Sequence, residues 1–321
     1  MTKAAASAPT SPVTWAGVHW LTGTVRTPYR QVLEVVQRHM GLEFTTLERG
    51  LWLYQRSAIE PTSKARVLWS PDREDVCVLL PGEACEMLGT QNLLALVVEL
   101  GLTLTRLDVA WDTTLLTPVA ARFAYDSGQA VTRVRSWDWR ENHQGSTFYL
   151  GKRGDENARM VRFYDRRGRE SGDGTTRVEL ELHGGRAVSL WDTLQTSPLE
   201  LWSSGCLGYL RDLVDFRDLT QDSNSGRCPP LPWWDDFTGG AARLSLPLKP
   251  KPPTLDTAWG WLEESVSATL ALVADSREIL GASETPENFV RRMLEQGRSR
   301  YQASPRQRAL KSAWTLPKVV T

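Results

Sequence analysis

The chain has 321 residues, and its 38 lysines and arginines balance 38 aspartates and glutamates, so the formal net charge at pH 7 is zero. This length allows one large domain or two small ones, and the balanced charge gives no global argument for a polyanionic partner. The sequence contains no apolar run of about 18 residues, and its N-terminus lacks the apolar core of a signal peptide. We therefore expect a soluble, cytoplasmic protein that does not bind a membrane.

Hydrophobic periodicity predicts alternating strands and helices in the first 113 residues. Residues 1–13 are rich in Ala, Ser, Thr and Pro, which predicts a disordered tail. The elements that follow are a strand at 15–26, a helix at 28–40, two or three strands in 42–56, 65–69 and 76–80, a helix at 90–100 capped by Thr90, and a strand at 103–113.

A similar rhythm of helix and strands continues after residue 113. Thr117 before Pro118 predicts the start of a short helix at 118–125. Strands are predicted at 132–139, 147–152, 159–166 and 176–183, and helices at 185–196 and 198–213. The rhythm suggests a duplicated unit, so the predicted fold class is α+β, with a curved, mainly antiparallel sheet.

Prolines mark the start of a C-terminal extension. Residues 246–253, LPLKPKPP, predict an extended linker, because closely spaced prolines exclude both a helix and a central strand. Helical periodicity returns at 254–295, where an apolar stripe includes Leu262 and Val273, and the last part of the chain is strongly basic. The predicted organisation is a tail (1–13), a catalytic domain (14–245), the linker (246–253) and a basic helical extension (254–321).

The cysteines and histidines argue against two kinds of site. No CxxC pair and no zinc-like spacing occurs among the four cysteines, Cys77, Cys85, Cys206 and Cys228. This predicts reduced thiols. No two histidines are adjacent or separated by a single residue, so a His-x-His metal site is disfavoured.

Four predicted strands would place charged residues together on one face of a sheet. These are TLTRLDVAWDT at 103–113, TFYLGK at 147–152, RMVRFYDR at 159–166 and TRVELELH at 176–183. In each strand, apolar residues alternate with polar ones, as in a strand with one buried face. If the strands share a sheet, one face carries carboxylates, a tyrosine and arginines, which are suited to metal-assisted attack on a phosphodiester.

Tyr164 is the candidate nucleophile. A tyrosine hydroxyl, with a pKa of about 10, needs a cation, a base or a metal to favour the phenolate. Arg162 and Arg166 lie two residues on either side of Tyr164, hence on the same face of the strand, and can supply that charge. Carboxylates that could hold Mg²⁺ or Mn²⁺ against the phosphate are Asp108, Asp112, Glu179 and Glu181.

Structural roles are the alternatives at these positions. Tyr164 could stack on a cross-strand neighbour, and Tyr149 in the adjacent strand is a rival nucleophile. Asp108 and Asp112 could instead pair with Arg106 and Arg177 in a cross-strand charge ladder on a solvated sheet face.

Three groups of aromatic and charged side chains outside these strands have both a binding and a packing interpretation. Trp233 and Trp234 are more typical of packing residues than of base-stacking platforms. Core packing is also favoured for Trp137 and Trp139. The basic C-terminal stretch could grip phosphates or be solvated surface.

The order TRLDVAWD, TFYLGKRG, RMVRFYDR, RVELEL and, far downstream, PWWDDF resembles that of the trans-acting replication initiation factors of the rolling-circle type, found on plasmids and phages. The resemblance covers about residues 15–275. It implies a DNA-nicking and rejoining enzyme with a tyrosine nucleophile, a divalent metal and no His-x-His site. Two departures are Arg166 at a position that is often lysine in the family, and a hairpin at 151–157 that contains no serine.

The function predicted from this resemblance is origin nicking and religation, with single- and double-stranded origin DNA as the partner. Predicted DNA contacts are Lys152, Arg153, Arg159, Arg167, Arg291 and Arg292. A host helicase is a further candidate partner, and the oligomeric state is open, with a homodimer as one alternative. Other functions considered are a relaxase for conjugative transfer and a noncatalytic repressor or copy-control protein on the same scaffold.

Overall fold

A computed structural model describes residues 13–143, 145–155, 157–166, 174–246, 259, 262–279 and 284–303. The chain divides into two compact units, Met1–Lys249 and Pro250–Thr321. Of the predicted tail and the predicted linker, only Val13 and Leu246 are among the described residues. The part of the basic stretch after residue 303 also lies outside them.

Strands and helices alternate along the larger unit. Its strands are β1 (Val13–Val25), β2 (Thr45–Leu47), β3 (Arg56–Ile59), β4 (Arg66–Trp69), β5 (Val76–Leu80), β6 (Thr103–Thr113), β7 (Ala130–Thr132), β8 (Trp137–Asn142), β9 (Gly145–Gly151), β10 (Arg159–Asp165), β11 (Thr176–His183) and β12 (Val214–Phe216). Its helices are α1 (Tyr29–Met40), α2 (Gly82–Leu100), α3 (Pro118–Asp126), α4 (Gly184–Thr196), α5 (Trp202–Leu213) and α6 (Pro232–Thr238). The smaller unit contains a π-helical turn (Leu262–Val266), α7 (Ser267–Ile279) and α8 (Pro286–Ala303).

Ten strands form one antiparallel sheet in the order β2-β3-β4-β5-β1-β6-β11-β10-β9-β8. Its two halves, β2-β3-β4-β5-β1 and β8-β9-β10-β11-β6, have the same order, and the long strands β1 and β6 pair at the centre. Each half starts with its long strand and a helix, α1 or α3, and four strands then lead back to the long strand. The predicted α+β fold with an antiparallel sheet is confirmed, and the matching halves support the duplicated unit.

The apolar side chains of the alternating strands form the core on one side of the sheet. Leu21, Leu107 and Leu182 lie in register on β1, β6 and β11 and are buried. Helix α4 packs on β6 and β11, α5 on β10, and α3 on β9 and β10. The helices thus cover one face of the second half, and the charged residues of β6 and β11, together with Arg162 of β10, lie on the opposite face.

Helix α6 contains the PWWDDF sequence and fixes the edge of this core. Its proline occupies the first turn, where the missing N–H is tolerated. Trp234 is fully buried, and its indole N–H donates to Asp215 Oδ1 at 2.8 Å. Trp233 packs on Phe216 with ring centroids 5.1 Å apart. The prediction that both tryptophans are packing residues is confirmed.

The strand predicted at 132–139 is wrong, because the structure has two strands there, β7 and β8. β7 pairs with β12 in a separate two-stranded sheet. The Thr132 hydroxyl accepts a hydrogen bond from the Val134 backbone N–H at 3.0 Å and donates to the Leu213 carbonyl at 2.7 Å. This local turn interrupts a stretch whose alternation looks continuous in the sequence.

Three predicted helical stretches also differ from the structure. Helix α2 begins at Gly82 rather than at Thr90, and the non-helical Gly89 (φ 67°, ψ 163°) interrupts it. The helix predicted at 198–213 is a 3₁₀ turn (Leu199–Leu201) followed by α5. Within the stretch 254–295, Leu262 and Val273 of the predicted apolar stripe are exposed.

All four cysteines are buried, and none forms a disulfide. This agrees with the predicted reduced thiols. No helix among the described residues is long and apolar enough to cross a membrane.

Candidate active site

The predicted charged side chains lie together on the face of β6, β11, β10 and β9 that the helices leave uncovered, which we call the site face. Neighbouring residues on this face are paired in register. One row contains Asp112, Arg177, Tyr164 and Thr147, the next Ala110, Glu179, Arg162 and Tyr149, and a third Asp108 and Glu181. The strand alternation seen in the sequence therefore predicted which residues share this face.

Three carboxylates of the site face surround one arginine. Arg162 Nη2 lies 3.2 Å from Asp108 Oδ2, 2.7 Å from Glu179 Oε1 and 3.5 Å from Glu181 Oε2. All three carboxylates are buried, and Arg106 also contacts Asp108 and Glu181. Charges at such positions need partners, because burial removes the water that would otherwise solvate them.

Asp108 and Glu179 are perturbed in opposite directions. Burial raises the pKa of Asp108 to about 8, against the effect of Arg106 and with a further contribution from the charge of Glu179. Burial would raise the pKa of Glu179 as well, but a hydrogen bond from His19 and the charge of Arg162 lower it to about 2. Burial and the charge of its neighbour thus raise the pKa of Asp108, whereas direct partners lower the pKa of Glu179.

Glu181 is held by a different pair of side chains. Nε and Nη2 of Arg153 donate to its two oxygens at 2.7 Å each, and His183 Nε2 lies 2.8 Å from Oε1. Burial alone would raise the pKa of Glu181, but these hydrogen bonds, together with nearby arginine charges, lower it below its ordinary value. Arg153, a predicted DNA contact, thus lies within the carboxylate cluster.

Asp112 belongs to a separate network on the same face. Arg177 donates to its two oxygens at 2.6 and 2.8 Å, and Arg166 also pairs with it. The Arg177 guanidinium lies over the Trp15 ring, 4.5 Å from its centroid, and contacts Glu86 at 3.2 Å. The structure therefore does not bring Asp112 together with the other three candidate metal ligands.

Both ion pairs of the charge-ladder alternative are present. Arg106 pairs with Asp108, and Arg177 pairs with Asp112. Both carboxylates are buried, however, whereas the alternative assumed a solvated face. These pairs therefore do not have the weak energetics of surface salt bridges.

His19 is a site residue that the sequence analysis missed. It lies at a β-bulge, where the β1–β6 register shifts between Val18 and Trp20, and its Nδ1 is 3.0 Å from Glu179 Oε1. Bulges redirect side chains in this way, and simple alternation does not reveal them. Gly82 leaves the space that the ring occupies, because a Cβ at that position would lie 2.3 Å from His19 Nε2.

A cavity of about 940 Å³ opens over this face. Both tyrosines line it, together with Arg162, Arg177 and Glu179. Tyr164 lies in register beside the buried Arg177, whereas Tyr149 lies beside Arg162 and nearer to the edge strand β8. The predicted nucleophile and its rival thus share one cavity but have different neighbours.

The basic residues predicted to contact DNA in the larger unit are dispersed. Lys152 is exposed beside the site face. Arg159 is in register with Leu182 on the helix-covered face, where it pairs with Asp212 at 3.4 Å. Arg167 lies outside the described residues.

The two predicted DNA contacts of the smaller unit lie on α8. Arg291 is exposed. Arg292 donates to both oxygens of Glu284 at 2.9 Å each, so its guanidinium already has an acidic partner.

Among the described residues, no group of three candidate side chains is arranged to hold a metal ion. One carboxylate oxygen remains open to an ion, because Glu179 Oε2 is buried and has no hydrogen-bond partner in the described part of the chain. Mg²⁺ is commonly held by one or two carboxylates together with substrate phosphates. Glu179 therefore has an oxygen available for such an ion, whereas arginines engage both oxygens of Asp108, Asp112 and Glu181.

Comparison with known sequences decides the family. The profile of the family described as replication initiation factor matches residues 102–294, which is more than half of the chain. This chain belongs to the replication initiation factor family. The matched region includes Asp108, Tyr164 and Glu179 and all the site-face residues of β6, β9, β10 and β11.

Two known proteins illustrate the relationship. The "Putative DNA relaxase NicK" of Bacillus subtilis (strain 168) is 26% identical over 206 residues, which are 58% of this chain and 57% of the relative. The chain thus matches less than two thirds of that relative's length. The solved structure of a rolling circle replication initiator protein from Geobacillus stearothermophilus has a TM-score of 0.59 and 24% identity, and it covers 73% of this chain and 98% of its own. This likeness shows a shared fold.

Proposed function

We propose that this protein nicks and rejoins one DNA strand at a replication origin through a covalent bond to Tyr164. The observation that carries the proposal is the position of Tyr164 in the large cavity, which Arg162, Arg177 and the buried carboxyl of Glu179 also line. Membership of the replication initiation factor family supplies the biological setting.

The arginines support attack by the Tyr164 oxygen. Arg162 and Arg177 both interact favourably with negative charge on that oxygen, which favours the phenolate needed for attack. The oxygen forms a bond to phosphorus, and the bond from phosphorus to the 3′ oxygen breaks. The tyrosine proton passes to solvent, and the leaving 3′ oxygen takes a proton from solvent. The product is a 5′-phosphotyrosine that keeps the phosphodiester energy for rejoining.

Glu179 would hold Mg²⁺ or Mn²⁺ in this site, and Asp108 would join it where the ion replaces Arg106 at one of its oxygens. When bound, the ion supplies positive charge to a nonbridging phosphate oxygen. The chain's own contribution is the buried pair and its supports, since His19 and Arg162 keep Glu179 ionised. Arg106 orients Asp108 through a hydrogen bond of 2.8 Å.

A relaxase in strand transfer is the second candidate function, which the similarity to NicK favours. The chemistry at Tyr164 would be the same, and the biological step would differ. A noncatalytic repressor or copy-control protein is the alternative without chemistry.

The test is covalent capture from a pool of single-stranded oligonucleotides with random sequence. The protein is incubated with the pool and Mg²⁺ or Mn²⁺, denatured and washed, and the linked DNA and peptide are identified. We expect an adduct on the peptide containing Tyr164 and a shared sequence at the cut. Tyr164→Phe removes only the hydroxyl and should abolish the adduct while DNA binding persists.

Tyr125→Phe is the matched control, because Tyr125 lies on α3 in the helical layer and packs on Phe148. It should form the adduct at the rate of the unmodified protein. An adduct that persists in Tyr164→Phe and maps to Tyr149 would reassign the nucleophile. If the protein binds the pool but forms no adduct with either metal, the noncatalytic alternative is favoured.

A further inference from the structure

A second, smaller cavity adjoins the large one at the edge of the sheet. Its volume is about 330 Å³, and it is lined by residues of β8, β9, β10 and the loop after β9. Tyr149, Arg153 and Arg162 line both cavities. A chain of nucleotides with one phosphate at Tyr164 can therefore extend into the smaller cavity without crossing the sheet.

The smaller cavity has the surfaces that an unpaired nucleobase needs. The Arg140 guanidinium lies over the Tyr149 ring, 5.2 Å from its centroid, so a flat aromatic and a flat cation are stacked there. Met160 forms an apolar, buried part of the lining. Aromatic rings and arginine planes are the usual stacking surfaces for splayed bases.

Arg140 has a partner beside this cavity, and the backbone there is tightly constrained. Arg140 is held by Asp138, with Nε 2.8 Å from Oδ2. Gly151 has φ +110°, and a Cβ there would lie 2.5 Å from the Arg159 carbonyl oxygen, so the chain turns tightly beside the cavity. Because the backbone of this surface is already ordered, little conformational entropy is lost there when a base binds.

The charge at the cavity suits nucleic acid. Lys152, Arg153 and Arg140 line it, and Asp138 is its acidic member. An apolar surface between cationic side chains matches a base flanked by phosphates.

We propose that this cavity binds one unpaired nucleobase adjacent to the cut phosphate, with Tyr149 and Arg140 as its stacking surface. Tyr149 is then a binding residue and not the nucleophile. The inference rests on the proposed function for its substrate, single-stranded DNA. It adds a specific contact, because it predicts that the contribution of one base of that DNA to binding depends on Tyr149.

The test removes one base and the Tyr149 side chain, separately and together, and compares the effects on binding. A tight single-stranded ligand is selected by binding from a random oligonucleotide pool on Tyr164→Phe protein, so that no cleavage is needed. A single abasic site is then placed at each position of that ligand in turn, and the dissociation constant is measured by fluorescence anisotropy. At one position we expect the abasic site to weaken binding by roughly 5- to 150-fold, as for loss of one base–aromatic stack.

In protein that carries Tyr149→Ala in addition to Tyr164→Phe, the abasic site at that position should weaken binding little further. Tyr149→Phe keeps the ring, so the abasic site should weaken its binding as much as it weakens binding by protein with Tyr149. Arg140→Ala should reduce the effect of the same abasic site without disturbing the fold, because the Arg140 side chain is largely exposed. Melting curves confirm that each variant is folded.

Equal abasic effects with and without the Tyr149 ring at every position would overturn this assignment. So would a pool that yields no ligand tighter than the starting pool. Failure of the proposed function is distinct, because it appears as the absence of a covalent adduct in protein that retains Tyr164.

Discussion

Arg162 should reveal how strongly the buried carboxylates depend on a positive partner. Its guanidinium contacts Asp108, Glu179 and Glu181, all of which are at most 1% exposed. Arg162→Ala leaves these groups short of positive charge where little water can replace it. Removing one partner of a buried ion pair costs about 3–5 kcal/mol. This is a large part of the roughly 5–15 kcal/mol by which a folded domain is stable.

The loss of unfolding free energy caused by Arg162→Ala should depend on pH. In the intact protein, the pKa values of Glu179 and Glu181 lie below the ordinary 4.5, so these groups stabilise the fold above that pH. This stabilisation is lost as the pH falls through the folded-state values. Without Arg162 the folded-state pKa values rise, so ionisation of the same groups contributes less to the stability of the fold. The difference in unfolding free energy between the two proteins should therefore be fully present above about pH 5. It should shrink as the pH falls below 4.5 through the folded-state values.

Urea unfolding followed by tryptophan fluorescence in EDTA, at several pH values, measures this difference. Arg140→Ala is the matched control, because Arg140 pairs with Asp138 on the same face but both side chains are exposed. The unfolding free energy lost in Arg140→Ala should stay below about 1 kcal/mol at every pH. Arg162→Ala could instead lower the unfolding free energy no more than Arg140→Ala does at pH 8, or by the same amount at all pH values. Either result would refute the idea that Arg162 offsets the charge of the buried carboxylates.

Two further predictions concern the metal and the DNA. Adduct formation should stop in EDTA and return with Mg²⁺ or Mn²⁺, and Asp108→Asn or Glu179→Gln should each slow it by roughly 100-fold or more; an unchanged rate in EDTA would contradict the metal role. Neutralising the exposed Arg291, Arg298 and Arg300 of α8 together should weaken duplex binding and reduce the salt slope of log K by about 0.9 for each phosphate that the protein no longer neutralises. An unchanged slope, measured by anisotropy against Arg26→Ala as control, would identify these arginines as solvated surface.

The site face could be predicted because strand alternation is a local property. In β10, Arg162 and Tyr164 are two positions apart, and in β11 the same holds for Glu179 and Glu181. Their common face follows from the sequence once the strands are identified. Alternation also separates Arg159 from Arg162, since they are three positions apart. The DNA contact predicted for Arg159 therefore does not lie on the face that carries Arg162.

Long-range and irregular features could not be predicted in this way. The contact of His19 with Glu179 joins residues that are 160 positions apart and depends on a bulge in β1. The engagement of Asp112 depends on Arg177, which comes from the neighbouring strand and binds both of its oxygens. Neither the bulge nor the choice of ion-pair partner leaves a pattern in a single sequence.

The two halves of the sheet contribute unequally to the site, although their strand orders match. By position in the sheet, β5 corresponds to β11. On the site face β11 carries Glu179 and Glu181, whereas β5 carries the buried Cys77 and Leu79 on the corresponding face. The buried carboxylates of the site are therefore contributed by the second half.

The first half nevertheless completes the site through its long strand. β1 supplies His19, which binds Glu179, and Trp15, which stacks on Arg177. The family match begins at residue 102 and so omits this strand. Because Glu179 is buried and its ionisation depends on the His19 hydrogen bond as well as on Arg162, the matched region alone lacks one of the two supports of that carboxylate. The candidate active site is thus a property of the junction between the halves, and of the β1–β6 pairing that joins them.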